Sequence, residues 1–124
     1  MVNEYISRQV FLPEDIIIDV KSYCLKQSRK LKRSYKIYEF IEDSLEYLAS
    51  KKVKFYYESF LHNGEGISAF LVNFRKTHEK LCHKCVIKAE SEMNETVSER
   101  RVLLTAILMY LEKHGLFSKN RSYA

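Results

Sequence analysis

An α+β fold, mostly helical, is the class this sequence predicts: a two-stranded antiparallel ribbon over four helices. Three observations predict it. Two short stretches, ISRQVFLP near the start and ISAFLVNF past the middle, have strand composition. Each is followed by two segments of helical periodicity. The two halves also align without a gap at an offset of 62, half of the 124 residues.

Side chains alternate along a strand, so the first one sets Ile6, Arg8, Val10 and Leu12 against Ser7, Gln9 and Phe11. Pro13 ends it and opens a helix, since its fixed φ suits the first turn and its missing N–H is not needed there. Glu14 and Asp15 then sit at the positive end of the helix dipole. Ile16, Val20, Tyr23, Cys24 and Gln27 share one face of that helix. The eleven residues KQSRKLKRSYK that follow read as a basic loop. Ser34 is the expected N-cap of the second helix. Ile37, Ile41, Leu45 and Leu48 form its apolar face, and Glu39, Glu42, Asp43 and Glu46 a solvated one.

A linker follows at residues 51–66, KKVKFYYESFLHNGEG, with turn signals at Asn63-Gly64 and Gly66. The second strand spans residues 67–74. On the third helix His78, Leu81, Cys82, Cys85, Val86 and Ala89 share a face. Thr96 and Glu99 match a capping box ahead of the apolar run at residues 102–111. The offset of 62 sets Val10 on Val72, Leu12 on Phe74, Val20 on Cys82, Ser34 on Thr96, Ile41 on Leu103 and Leu45 on Ile107. Those apolar positions form the expected core. The organisation is therefore one strand–helix–helix unit at residues 1–50, the linker, and a second unit with a C-terminal tail at residues 67–124, sharing one core.

A lone strand heading each unit would be an unpaired edge, and pairing the two removes that difficulty. The rival arrangement pairs residues 53–60 with residues 67–74 as a local β-hairpin around Asn63-Gly64, with the helices packed on it.

Composition narrows the function classes. With 46% hydrophobic residues, nine Tyr, seven Phe and one Pro, the chain is expected to pack a core. No apolar run approaches the ~18–20 residues of a membrane span. The opening MVNEYISR lacks a signal-peptide stretch, and three Cys fit no disulfide framework, so a reducing cytoplasm is expected. A net charge of +5 permits a nucleic-acid partner without requiring one.

Catalytic signatures are thin. Cys82 and Cys85 have C-x-x-C spacing with His78 one turn earlier, but a zinc site would need Cys24 or His62 to complete four ligands. They read as small core residues, with no metal and no cofactor. Thioredoxin-like chemistry wants the motif at a helix N-terminus, and here it lies mid-helix. There is no Gly-rich phosphate loop and no G-x-S-x-G, and the four His are scattered. A non-enzymatic protein is expected.

The segments QVFLPEDI, from Gln9 to Ile16, and RSYKIYEFIEDSLEYL, from Arg33 to Leu48, resemble the ribbon-helix-helix (Arc/MetJ-like) DNA-binding family. Two units in one chain are similar to the single-chain variants among DNA-transfer accessory proteins, such as the TraY group. The resemblance implies a tandem ribbon-helix-helix pseudo-dimer that binds double-stranded DNA sequence-specifically, as a transcriptional regulator or a DNA-transfer accessory factor. It implies base contacts from Ser7, Gln9 and Phe11 and, in the second unit, from Ala69, Leu71 and Asn73. Phosphate contacts are implied at the second-helix N-termini, Ser34 and Tyr35 in one unit and Thr96 and Val97 in the other. The basic residues Arg29, Lys30, Lys32, Arg33 and Lys36 join them, with Arg8 reaching a phosphate from the strand. A nucleoid-associated cytoplasmic location would follow, without membrane contact. Further self-association on DNA is compatible with this, as is a protein partner on VKFYYESF, which opens at Val53 and ends at Phe60. The competing expectations are a protein–protein adaptor and an RNA-binding module.

Overall fold

The computed structural model describes residues 4–53 and 67–116. The element order is β1 (Tyr5–Pro13), α1 (Glu14–Leu31), α2 (Ile37–Ser50), β2 (Ile67–Arg75), a 3-10 turn (Lys76–His78), α3 (Glu79–Met93) and α4 (Glu99–Lys113). The fold is α+β and mostly helical, and the described residues form a two-stranded antiparallel sheet. β2 pairs with β1, in the register Tyr5↔Arg75, Gln9↔Leu71 and Pro13↔Ile67. Among the described residues β1 is therefore the partner of β2; the rival hairpin's other arm falls, apart from Val53, outside them.

Element boundaries recur at a spacing of 62. The strands begin at 5 and 67, the helices behind them end at 31 and 93, and the second helices begin at 37 and 99. Both first helices stop at a left-handed residue, Lys32 at φ 56 and Asn94 at φ 57. That conformation lets the cap amide bond back to a carbonyl of the last turn, Ser28 and Glu90 respectively. The halves differ where their local chemistry does. Pro13, with Glu14 and Asp15, launches α1 directly, whereas Arg75, Lys76 and Thr77 supply neither proline nor first-turn acid, and a 3-10 turn precedes α3.

Three boundary expectations are corrected. Helix α1 runs to Leu31, so Lys26, Arg29 and Lys30 lie on its last turns rather than in a loop. Cations there complement the negative end of the dipole. Only five residues, Lys32 to Lys36, join α1 to α2. Ser34 does not cap α2: the cap is Lys36, whose N–H donates to Glu39 Oε2 at 2.8 Å. Nor does Thr96 cap α4; Ser98 accepts from the Arg101 amide at 3.2 Å. Both helices start later because Tyr35 and Val97 turn inward first. Their amides are held by side chains of the preceding helix, Tyr35 by Ser28 Oγ at 2.7 Å and Val97 by Glu90 Oε2 at 3.1 Å.

All nine expected core residues, Val10, Leu12, Val20, Ile41, Leu45, Val72, Phe74, Leu103 and Ile107, are buried. They belong to one cluster built from both halves. Helix α2 buries one face, while α4 is buried on every side from residue 102 to residue 111 and forms the centre of the molecule. An aromatic group ties the halves together, with Tyr23 of α1 meeting Tyr110 of α4 edge-on at 5.8 Å. Both also pack against Phe40 of α2.

Candidate nucleic-acid interface

The ribbon has an inner and an outer face. Val10, Leu12, Phe70, Val72 and Phe74 point inward, and Ser7, Gln9, Phe11, Ala69 and Leu71 point out, with Asn73 part-exposed beside them. The second strand thus has the phase its sequence predicts. Tyr5 shares the outer face, and Arg75 continues it beyond Asn73. Neither residue is among those the sequence singles out, although Tyr5 has the same parity as Ser7 and Gln9.

Cross-strand partners define the chemistry of this face. Ser7 lies opposite Asn73, and its hydroxyl donates to Asn73 Oδ1 at 2.8 Å. The Asn73 amide is thereby oriented with Nδ2 left as an outward donor. Gln9 lies opposite Leu71, which is 58% exposed, and Phe11, 52% exposed, lies opposite Ala69. One end of the ribbon is polar and the other apolar.

The polar end abuts the start of α2. Tyr5 meets Tyr38 edge-on at 5.4 Å, and the Arg75 guanidinium lies 5.3 Å from the Tyr38 ring. Arg75 is anchored by Glu42, which was expected on a solvated face and is instead 3% exposed. Its carboxylate accepts from Arg75 Nη2 at 2.7 Å, Nε at 3.0 Å and the Arg75 amide at 2.9 Å. Burial pushes the Glu42 carboxyl up, but the Arg75 hydrogen bonds and the charges of His78 and Arg75 outweigh it and hold it below the ordinary value. Periodicity placed Glu42 on the helix side facing away from the apolar stripe, but could not show that β2 ends over that side. Asp43 beside it accepts from the Tyr35 hydroxyl. Burial keeps the Asp43 carboxyl above its usual range.

An open cleft of about 610 Å³ lies where the ribbon end, α1 and the start of α2 converge, lined among others by Tyr5, Lys21, Ser34, Lys36, Tyr38 and Asn73. Arg29, Lys30, Lys32 and Lys36 are exposed nearby in sequence and carry no ion pair among the described residues. Arg33 is different: its Nη1 lies 2.9 Å from Glu39 Oε1.

The other corner is differently charged. At the positions 62 residues after Lys26, Arg29, Lys30, Lys32, Arg33 and Lys36 stand Lys88, Ser91, Glu92, Asn94, Glu95 and Ser98. Lys88 is taken up by Glu92 at 3.3 Å and by the Lys51 carbonyl. Arg101 faces Glu95 at 3.3 Å, leaving Arg100 as the exposed cation at the start of α4.

Several residues expected at a phosphate are placed elsewhere. Tyr35 and Val97 are interior, with their amides already bonded. Arg8 is half-buried, its Nε 3.0 Å from Glu99 Oε1 and a guanidinium N–H donating to the Ser7 carbonyl. Ser34 and Thr96 are exposed.

Cys24, Cys82 and Cys85 are free and buried, and burial raises their thiols to about 11, about 12 and about 11. Cys85 Sγ contacts the Leu45 carbonyl at 3.4 Å. His78 turns to Glu46 at 3.2 Å and Glu42 at 3.6 Å. No group of three potential metal ligands occurs among the described residues, nor any helix long and apolar enough to cross a membrane. No family model, curated protein or solved structure matches the chain.

Proposed function

We propose that this chain is a single-chain tandem ribbon-helix-helix protein that binds double-stranded DNA. In this reading β1 and β2 lie in the major groove as the two equivalent strands of an internal pseudo-dimer. The observation that carries it is the outer ribbon face: amide side chains at Gln9 and Asn73 on a two-stranded antiparallel ribbon, next to a corner of unpaired cations. A major groove about 12 Å wide admits such a ribbon. Outward side chains recur about every 7 Å along a strand, close to two base steps of about 3.4 Å. The recurrence of boundaries at 62 residues supports equivalence of the two units.

In mechanism, Gln9 has both amide groups available for adenine N6 and N7, while Asn73 donates through Nδ2 to a base acceptor. Arg29, Lys30, Lys32 and Lys36 neutralise backbone phosphates beside the start of α2, whose dipole favours the same charge. The activity is binding, not chemistry. It suits a transcriptional regulator or a DNA-transfer accessory factor acting on the nucleoid. The exposed Phe11 and Leu71 give one reason to consider an adaptor instead, and salt distinguishes the two.

The test is fluorescence anisotropy with a duplex pool over a salt series. Affinity falls with salt in proportion to phosphates neutralised, and Lys30→Ala/Lys32→Ala lowers the slope of log K against log salt by about 1.8, about 0.9 per phosphate lost. Salt-independent binding, or none at low salt, would refute the DNA reading.

A further inference from the structure

The outer face of the ribbon is not two-fold symmetric, although the backbone beneath it repeats. The strands, Tyr5–Pro13 and Ile67–Arg75, are both nine residues long. The spacing of 62 relates Gln9 to Leu71, and those two residues are also cross-strand partners. The internal two-fold therefore passes between them. It exchanges Ser7 with Ala69 and Phe11 with Asn73.

None of these exchanges conserves chemistry. At the axis an amide stands against an isobutyl group. At one end the hydrogen-bonded pair Ser7–Asn73 leads to Tyr5 and Arg75. At the other, Phe11 and Ala69 offer only carbon. A DNA backbone looks alike when approached from either direction along the groove, so phosphate contacts alone would not choose an orientation. Base contacts would, and here they are polar at one end and apolar at the other.

Charge marks the same direction. The polar end abuts α2, beside which six cations occupy the stretch from Lys26 to Lys36. The matching stretch of the second half, residues 88–98, holds one lysine and three glutamates, a net charge of minus two. The cations therefore lie toward the polar end of the ribbon and not toward the apolar one.

Resting on the DNA reading above, we propose that this ribbon recognises a duplex sequence without dyad symmetry and binds it in a single orientation. The Ser7–Asn73 end and the cationic corner cover one defined flank. The base pairs under Gln9 and Asn73 offer hydrogen-bonding edges, an adenine for Gln9 and an acceptor such as guanine O6 or thymine O4 for Asn73. Those under Phe11 and Leu71 offer thymine methyls.

Directed cleavage tests this. A preferred duplex is selected from a random pool with the unmodified full chain. Leu31→Cys, at an exposed position ending α1, then carries an iron–EDTA cleaving group. The three native thiols are buried and do not compete for the label. The selected sequence is expected not to equal its own reverse complement, and cleavage should favour one flank by about tenfold, as one discriminating amide–base contact provides. Leu71→Gln, which sets an amide at the two-fold mate of Gln9, should bring the two flanks closer to parity. A self-complementary consensus cleaved equally on both flanks would overturn the single orientation while leaving DNA binding intact. Failure to select any duplex would overturn the DNA reading, and this inference with it.

Discussion

Leu45 of α2 and Ile107 of α4 stand 62 residues apart and are both fully buried in one cluster. Helices α2 and α4 pack against each other more extensively than any other pair of described helices. Truncating Leu45 to alanine removes three carbons from water-excluded packing, about 2.4 kcal/mol at about 0.8 per carbon. A residual cavity adds about 1 kcal/mol more, because the ribbon above and the helices beside it limit collapse. Leu45→Ala is thus expected to cost about 3.5 kcal/mol, and Ile107→Ala a similar amount. A domain of this size has a total stability of about 5–15 kcal/mol, so each single variant folds and the double variant verges on unfolding. Urea denaturation reads this out through far-UV circular dichroism and tyrosine emission, there being nine Tyr and no Trp. The two probes should trace one transition, shifted in each variant. Two separate transitions, each sensitive to only one substitution, would refute a core shared between the halves. So would a loss under about 1 kcal/mol in either variant.

The Glu42 carboxyl sits below its ordinary value of 4.5, so its stabilising contribution is present above that pH and is lost as pH falls further. Glu42→Gln should therefore be less stable than wild type near neutrality, with the gap closing in urea midpoints taken from about pH 6 to about pH 3. An unchanging gap would contradict the Arg75 ion pair as its source. Ser28→Ala removes the acceptor of the Tyr35 amide and should cost about 1–2 kcal/mol in the same assay. A neutral result would mean that water replaces the hydroxyl. The three thiols, raised to about 11 or 12, should react with a disulfide reagent at about pH 8 only after denaturation. Rapid reaction of the folded protein would contradict their burial.

The alternation in ISRQVFLP and ISAFLVNF was enough to assign both faces of the ribbon, because strand parity depends on local sequence alone. The core was legible for the same reason, its members repeating at strand spacing in β1 and β2 and at helical spacing in the helices. The start of α1 at Pro13 was legible too, but the starts of α2 and α4 were not. Ser34 and Thr96 look like caps by residue type, but Tyr35 and Val97 must first turn into the core, and that requirement comes from tertiary packing. Glu42 and Arg75 are 33 residues apart, and Arg8 and Glu99 further still. Only the packing of α2 and α4 against the ribbon brings either pair together, so no window of sequence could show that Arg8 is occupied or that Glu42 is buried. The contact of Tyr5 with Tyr38 at the polar end of the ribbon depends on the same packing. The charge difference between the two corners, by contrast, was plain in the sequence once the offset of 62 was known.

The most direct measurement compares wild type with Gln9→Ala/Asn73→Ala on a selected duplex and on random duplexes of equal length, at one fixed salt concentration. The ribbon account has the variant lose about 1–3 kcal/mol of affinity per contact on the selected duplex and keep its random-sequence affinity, since the phosphate-facing cations are untouched. Equal losses on both duplexes, or an undiminished preference for the selected one, would contradict the ribbon as the reader.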